Sequence, residues 1–109
     1  MEQYTPGKSN ILTSVSAWQD QVLEISLYPV PVAEFLNISI VSPNESLPEE
    51  ITLDLYDLTG RRMMQFTRPV WGNDFSERID VSALPDAIYI LVFEAGSGKH
   101  TRKFVKSSR

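Results

Sequence analysis

The sequence predicts an all-β domain, either a sandwich or a barrel. Turn-forming residues recur at intervals of roughly eight to twelve residues, as they do in such folds, and apolar and polar side chains alternate between them with the period of a β-strand. The chain has 109 residues and no cysteine. Because domains commonly contain about 100–150 residues, this length fits one compact domain and excludes two, and disulfides and zinc–thiolate sites are impossible.

Seven strands are expected along the chain. In the first three, apolar residues alternate with polar ones, so each strand has a core face and a solvent face. Gly60 stands where a short hairpin needs a left-handed residue, so the fourth strand should pair back on the third. The sixth is apolar on both faces, which is typical of a central strand. The expected strands are residues 23–27, 36–40, 51–55, 62–66, 78–81, 88–93 and 100–106.

The domain organisation follows from where this pattern begins. Residues 1–20 contain Pro6, Gly7 and several serines in no clear period. We therefore expect them to be a linker or a loosely docked N-terminal segment, and residues 21–109 to form the sandwich. Segment 1–20 lacks the apolar core of a signal peptide, which indicates an intracellular protein or a piece of a longer one.

The charge is unevenly distributed. The net charge is −4, yet residues 99–109 carry five of the 10 cations and no acid, so the rest of the chain holds five cations against 14 acids. An acidic body repels phosphates, which argues against nucleic-acid binding. No apolar run approaches the roughly 20 residues of a membrane helix, so membrane insertion is not expected.

The sequence offers no convincing catalytic, cofactor or metal site. His100, the single histidine, lies near a hairpin, and no neighbour in the sequence would orient it as a general base. Asp54 and Asp57 are three apart on one strand, so their carboxylates should point to opposite faces. The acids of segment 45–50 lack the spacing of a calcium loop. We therefore expect a protein that is not an enzyme and needs no cofactor.

Two aromatic residues suggest an alternative role as a ligand platform. Trp71 lies in a predicted loop and could stack on a carbohydrate, with Tyr56 on the same candidate face. On this interpretation, the chain is an accessory interaction or carbohydrate-binding module of a surface protein. A tryptophan in a small sandwich is more commonly packed against the core, so we expect Trp71 to be buried.

The segment 80–89 has a more specific structural interpretation. It is rich in turn residues and delivers Tyr89 to the start of the most apolar strand. This resembles the tyrosine corner of immunoglobulin-like sandwiches, in which the ring packs in the core and the hydroxyl bonds to a backbone group just upstream. The fold is thus expected to be an immunoglobulin-like antiparallel sandwich.

Five segments in a fixed order carry a resemblance to a known family. They are residues 27–31 (LYPVP), 35–39 (FLNIS), 55–61 (LYDLTGR), 79–89 (IDVSALPDAIY) and 99–106 (KHTRKFVK). Together they resemble the C-terminal sorting domain of type IX secretion cargo in Bacteroidetes, the Por secretion tail family. The similarity extends over about residues 24–106, and its specificity lies in the order of the segments.

The resemblance implies a non-catalytic secretion and sorting domain at the C-terminus of a larger exported protein. Such domains pass from the periplasm through the outer membrane, where a sortase removes them while it joins the cargo to anionic lipopolysaccharide. The implied partners are the type IX translocon, the sortase and the N-terminal cargo, and the implied cleavage site lies within residues 1–25. The corner and the basic final strand are the family's recognition elements. In this chain they correspond to Pro85, Tyr89, Lys99, Lys103 and Lys106.

The physical interpretation of these elements is a terminal strand with an open main-chain edge and protruding cations, recognised by strand addition and charge pairing. Two positions depart from the family pattern. Val30 stands where the family commonly has asparagine, and Ala87 where it commonly has glycine. If that glycine adopts positive φ, alanine should cost about 1 kcal/mol of stability.

Overall fold

The computed structural model describes residues 22–96 and 98–108. They form seven β-strands, as the sequence predicted, arranged in two antiparallel sheets. The alternation that predicted strands from sequence reappears in space as side chains directed alternately into and out of the sandwich. The strands are β1 (Glu24–Tyr28), β2 (Phe35–Val41), β3 (Glu50–Asp57), β4 (Arg62–Pro69), β5 (Asp74–Asp80), β6 (Ala87–Ala95) and β7 (Gly98–Lys106).

The two sheets face each other across one core. The first has the strand order β1-β2-β5 and the second has the order β4-β3-β6-β7. Leu36, Ile38 and Ile40 of β2 belong to the same buried cluster as Leu53 and Phe93 of the second sheet. The all-β sandwich is therefore confirmed. No helix within the described residues is long and apolar enough to cross a membrane.

Most strands are longer than their sequence pattern indicates, and β5 and β4 are two examples. β5 begins at Asp74 rather than at 78, because its partner β2 continues and pairs Ile40 with Phe75 and Val41 with Asp74. β4 continues through Pro69, which pairs with Glu50. A proline is tolerated there because β4 is an edge strand and needs no outward N–H bond.

The hairpin between β3 and β4 forms as expected. Gly60 has a φ of +90°, the left-handed region that favours glycine. Asp57 stabilises the turn through its Oδ1 atom, which accepts hydrogen bonds from Thr59 N at 2.9 Å, Thr59 Oγ1 at 2.6 Å and Arg61 N at 3.0 Å. These bonds hold the pKa of Asp57 below its ordinary value, since they favour the carboxylate over the acid.

A crossing segment after β1 links the two sheets. Val32 is fully buried and forms a parallel bridge with Lys106. Val32 N donates to Val105 O and Ser107 N donates to Val32 O, each at 2.9 Å. The chain therefore leaves the first sheet after Tyr28 and covers the C-terminal end of β7, which positions that end for the site described next.

Candidate functional site

The corner before β6 has the expected geometry. Tyr89 Oη donates a hydrogen bond of 2.6 Å to Pro85 O, four residues upstream. The ring is buried and stacks on Phe104 of β7, with centroids 5.7 Å apart and an angle of 28° between the planes. Burial raises the pKa of the Tyr89 hydroxyl, so it remains a donor at neutral pH. The prediction of a tyrosine corner is confirmed.

Lys106 lies inside the protein, contrary to the expectation of a protruding cation. Its side chain is 2 % exposed. Even-numbered residues at this end of β7 face the sandwich, as Phe104 does, so the Lys106 stem follows the core face. Its Nζ atom donates to Leu84 O at 2.9 Å and lies 3.4 Å from Asp86 Oδ1. The amine therefore ties the final strand to the corner.

Asp86 also holds the residues that follow β7. Its Oδ1 accepts hydrogen bonds from Ser108 Oγ at 2.7 Å and Ser108 N at 3.1 Å. The Ser108 bonds, assisted by Lys106, hold the pKa of Asp86 below its ordinary value. Leu84, Asp86 and Ser108 were not among the residues predicted from the sequence. The alternation of side chains along β7 could have indicated them, because it places Lys106 on the same face as the apolar Phe104.

Lys99 and Lys103 have different surroundings from Lys106. Both are exposed on the outer face of the four-stranded sheet, where the register sets Lys99 opposite Glu94 and Lys103 opposite Ile90. The candidate recognition residues thus form two groups. Pro85, Tyr89 and Lys106 are joined at the corner, while the other two lysines lie along the strand.

The outer edge of β7 is open for part of its length. The bonds to Val32 show that residues 105 and 107 direct their backbone groups away from β6. Because these directions alternate along a strand, residues 99, 101 and 103 do the same. Within the described ranges, no other segment is bonded to the backbone of those three residues, although Thr101 O accepts a hydrogen bond of 2.7 Å from the neighbouring Arg102 Nη1.

The two aromatic residues of the alternative platform are not brought together. Tyr56 is half-buried opposite Ile90, near the C-terminal end of β3. Trp71 lies in the loop after Pro69, which pairs with Glu50 at the N-terminal end of β3. They line separate clefts of about 300 and 390 Å³. Trp71 is 79 % exposed, so the expectation that it packs against the core was wrong. The loop after Pro69 carries its side chain outward while the adjacent Val70 is buried instead.

The two departures from the family pattern have distinct surroundings. Ala87 is the first residue of β6 and pairs with Lys106, so its backbone is extended and alanine fits without strain. Positive φ angles are found instead at the glycines 60, 72 and 96. Val30 is exposed between Pro29 and Pro31. Among the residues that the structure describes, no group of three or more histidines and acids could hold a metal ion.

Comparison with known proteins agrees with this geometry. The family model described as secretion system C-terminal sorting domain matches residues 26–107, well over half of the chain. The fold is similar to the crystal structure of dimeric latent PorU from Porphyromonas gingivalis, with a TM-score of 0.63 and 17 % identity over 90 % of this chain and 10 % of that one. That likeness shows the fold alone, and this chain spans about a tenth of that protein. No curated protein matches. The chain belongs to the Por secretion tail family, the C-terminal sorting domains of type IX secretion.

Proposed function

We propose that this domain is a non-catalytic address that the type IX translocon and a surface sortase recognise on a larger N-terminal cargo. Family membership supports a role as a C-terminal sorting signal and export to the cell surface or beyond. The finer elements of the proposal are the recognition residues, transit through the periplasm and removal by the sortase. Cleavage within residues 1–25 belongs to it as well, and residues 1–21 lie outside the described part of the chain.

The observation that carries the proposal is the attachment of the corner to the end of the chain. Tyr89 bonds to Pro85 O, and Lys106 bonds to Leu84 O one residue earlier. Two buried side chains from different strands therefore fix the same short turn. A receptor that binds this turn therefore meets one defined shape. Because the turn is already fixed, it loses little conformational entropy on binding.

The open edge of β7 supplies a second recognition element. Backbone groups of residues 99, 101 and 103 face outward, so an extended segment of the machinery can add to the sheet there. Lys99 and Lys103 are exposed beside that edge and attract carboxylates on the incoming strand. Shape at the corner and charge along the strand would then act together.

The main test is a fusion of residues 1–109 behind a signal peptide and a fluorescent cargo, expressed in a host with the secretion system. We expect fluorescence at the cell surface or in the medium. The same fusion in a strain without the translocon is the control and should leave the cargo in the periplasm. If the cargo also stays in the periplasm of the secreting host, the proposed function is wrong.

The role of the lysines is tested within one strand. Lys103→Glu should reduce export, whereas Arg102→Glu, an equal charge change on the other face of β7, should have a smaller effect. Both side chains are exposed, so neither substitution should change the free energy of unfolding by more than about 0.5 kcal/mol. Equal export of the two variants would contradict a role for Lys103 in recognition.

Strand addition is tested with proline. Thr101 N–H is directed outward, so Thr101→Pro should leave the pairing with β6 intact and block an added strand. Arg102→Pro removes an inward N–H and should destabilise the domain. Normal export of a folded Thr101→Pro variant would exclude recognition by strand addition at this edge.

A second function, carbohydrate binding, is favoured by the exposure of Trp71. This side chain borders a cleft of about 390 Å³ that also contains Arg68, Asp74 and Glu77. Stacking on the indole with hydrogen bonds to these polar groups is a common way to bind sugars. A glycan-array signal that disappears in Trp71→Ala would support this function, and an array without signal would count against it.

A further inference from the structure

The outer face of the four-stranded sheet is apolar at the end nearest the corner. Side chains of β6 alternate, so Tyr89 and Leu91 enter the core while Ile88 and Ile90 face outward. Ile88 is 41 % exposed. The apolar character of both faces of β6 is thus explained only in part by its central position in the sheet. A central position in the sheet does not explain why the outward, partly exposed residues Ile88 and Ile90 are apolar.

Neighbouring strands extend this surface. The register places Val105 of β7 opposite Ile88 and Tyr56 of β3 opposite Ile90. Val105 is 39 % exposed, and Leu58 in the adjacent hairpin is exposed as well. We call these five residues the outer apolar patch: Tyr56, Leu58, Ile88, Ile90 and Val105. Contiguous exposed apolar groups on several elements are typical of interaction sites, unlike apolar residues scattered singly.

Positive charge borders the patch. Lys103 lies opposite Ile90 on the edge strand, and within the described ranges it forms no ion pair. Arg62 lies on the other side, opposite Tyr56, where its Nε atom is 3.4 Å from Oδ1 of the buried Asp54. The carboxylate of Asp54 is therefore paired with Arg62 and is not accessible to a partner. Two acids also border the patch, Asp57 and Glu94. Asp57 is paired with Arg61 at 3.4 Å and Glu94 lies opposite Lys99, so Lys103 gives the border a net positive charge.

We propose that the outer apolar patch binds a protein surface of the secretion machinery that presents apolar side chains bordered by carboxylates. The inference rests on the proposed function and names the partner's chemistry. The patch is continuous with the candidate recognition elements, since Ile88 precedes Tyr89 and Val105 precedes Lys106. An apolar centre with a charged border is the usual anatomy of a protein–protein interface.

Other occupants fit the patch less well. Anionic membrane surfaces are bound by clusters of about four to eight cations, whereas the face of this strand presents only Lys99 and Lys103. A second copy paired through the same face would bring the two Lys103 side chains into one interface, where like charges repel. A complementary protein surface with carboxylates satisfies both the apolar centre and the border.

The first test compares two substitutions matched in exposure. Ile88 and Phe35 are each 41 % exposed at a strand terminus, but on opposite sheets. In the cargo fusion, Ile88→Gln should lower export roughly tenfold, as expected for a central interface residue, while Phe35→Gln leaves export unchanged. Thermal unfolding of both variants should stay near that of the parent. Export of Ile88→Gln at the parent level overturns the proposal.

The second test identifies the occupant. A photo-crosslinking amino acid replaces Val105 in the fusion, or Phe35 as the control, and adducts formed in the secreting host are identified by mass spectrometry. We expect an adduct with a component of the secretion machinery from position 105 only. An adduct of twice the fusion's mass, one within residues 1–21, or co-sedimentation of the domain with anionic lipid vesicles would overturn the proposal.

The outcomes separate this inference from the proposed function. If the unsubstituted fusion stays in the periplasm, the sorting role itself fails. If the unsubstituted fusion is exported and Ile88→Gln is exported equally well, the sorting role stands and the outer apolar patch is not its docking surface.

Discussion

Lys103 and Lys106 are three residues apart on β7, and this spacing directs their side chains to opposite faces. Lys103 is exposed on the outer face, whereas Lys106 is buried and bonded to Leu84 O and Asp86. A buried amine needs such partners, because desolvation of an unpaired charge is costly. The two lysines therefore contribute differently, one to the surface charge and the other to the shape of the corner.

Substitution by methionine should separate these contributions. Lys106→Met leaves Leu84 O without its donor and should lower the free energy of unfolding by about 1–3 kcal/mol. Lys103→Met should change it by less than about 0.5 kcal/mol. Urea denaturation followed by circular dichroism measures both, and equal values for the two variants would contradict the anchoring role of Lys106.

Tyr89→Phe isolates the hydroxyl of the tyrosine corner. The ring would still stack on Phe104, but Pro85 O would lose a hydrogen bond of 2.6 Å. We expect a loss of about 1–2 kcal/mol in the free energy of unfolding, since a partly buried acceptor is left unpaired. Tyr56→Phe, on the outer face, is the matched control and should unfold like the parent.

At the scale of elements, aspartates terminate three segments of the sandwich. Asp57 caps the β3–β4 hairpin, and Asp80 accepts bonds from Ser82 N at 2.9 Å and Ser82 Oγ at 2.6 Å after β5. Asp86 binds Ser108 after β7. Donation to each carboxylate lowers its pKa below the ordinary 3.8. The hydrogen bonds to all three aspartates favour the charged form, so the turns depend on ionised aspartates.

The domain should accordingly lose stability in acid. A carboxyl group with a lowered pKa in the folded state stabilises the fold above the pKa of the unfolded chain, about 3.9. That contribution disappears as the pH falls through the lower folded values. We expect the free energy of unfolding to decrease below about pH 4. Asp86→Asn should reduce this dependence, and Asp74→Asn, an exposed aspartate at the start of β5, is the control. A constant stability down to about pH 2 would contradict the linkage.

At the scale of the whole molecule, the two sheets depend on one another. Val32 bonds to β7 after the chain has left β1, and the buried residues of both sheets form one cluster. Residues between the strands, such as Leu47 and Val81, belong to the same cluster. We therefore expect a single cooperative unfolding transition, as in most single domains of this size.

Phe93→Ala tests this cooperativity. Phe93 is fully buried in the four-stranded sheet, and its loss should cost about 3–5 kcal/mol. Native-state hydrogen exchange should show the same decrease for β2 amides of the other sheet as for β3 amides. Protection that falls in the four-stranded sheet alone would indicate that the sheets unfold separately. Phe66→Ala, at the half-buried edge, should have a smaller effect.

Local patterns along the chain were enough to predict the strands, the hairpin at Gly60 and the tyrosine corner. Alternation, turn residues and the spacing of Pro85 and Tyr89 act between residues close in sequence, so they can be recognised without the fold. The strand limits were less predictable. β5 starts early because β2, more than thirty residues away, continues to offer it partners.

The sequence by itself determined that this chain is a seven-stranded sandwich with a corner and a basic final strand resembling a sorting domain. Only the tertiary structure decided that Lys106 is buried, that Trp71 is exposed and that the outward residues of β6 join an apolar patch. The reason is that burial depends on which strands lie opposite one another. Local alternation indicates which residues share a face of a strand, but which face is covered is decided by the packing of segments distant in sequence.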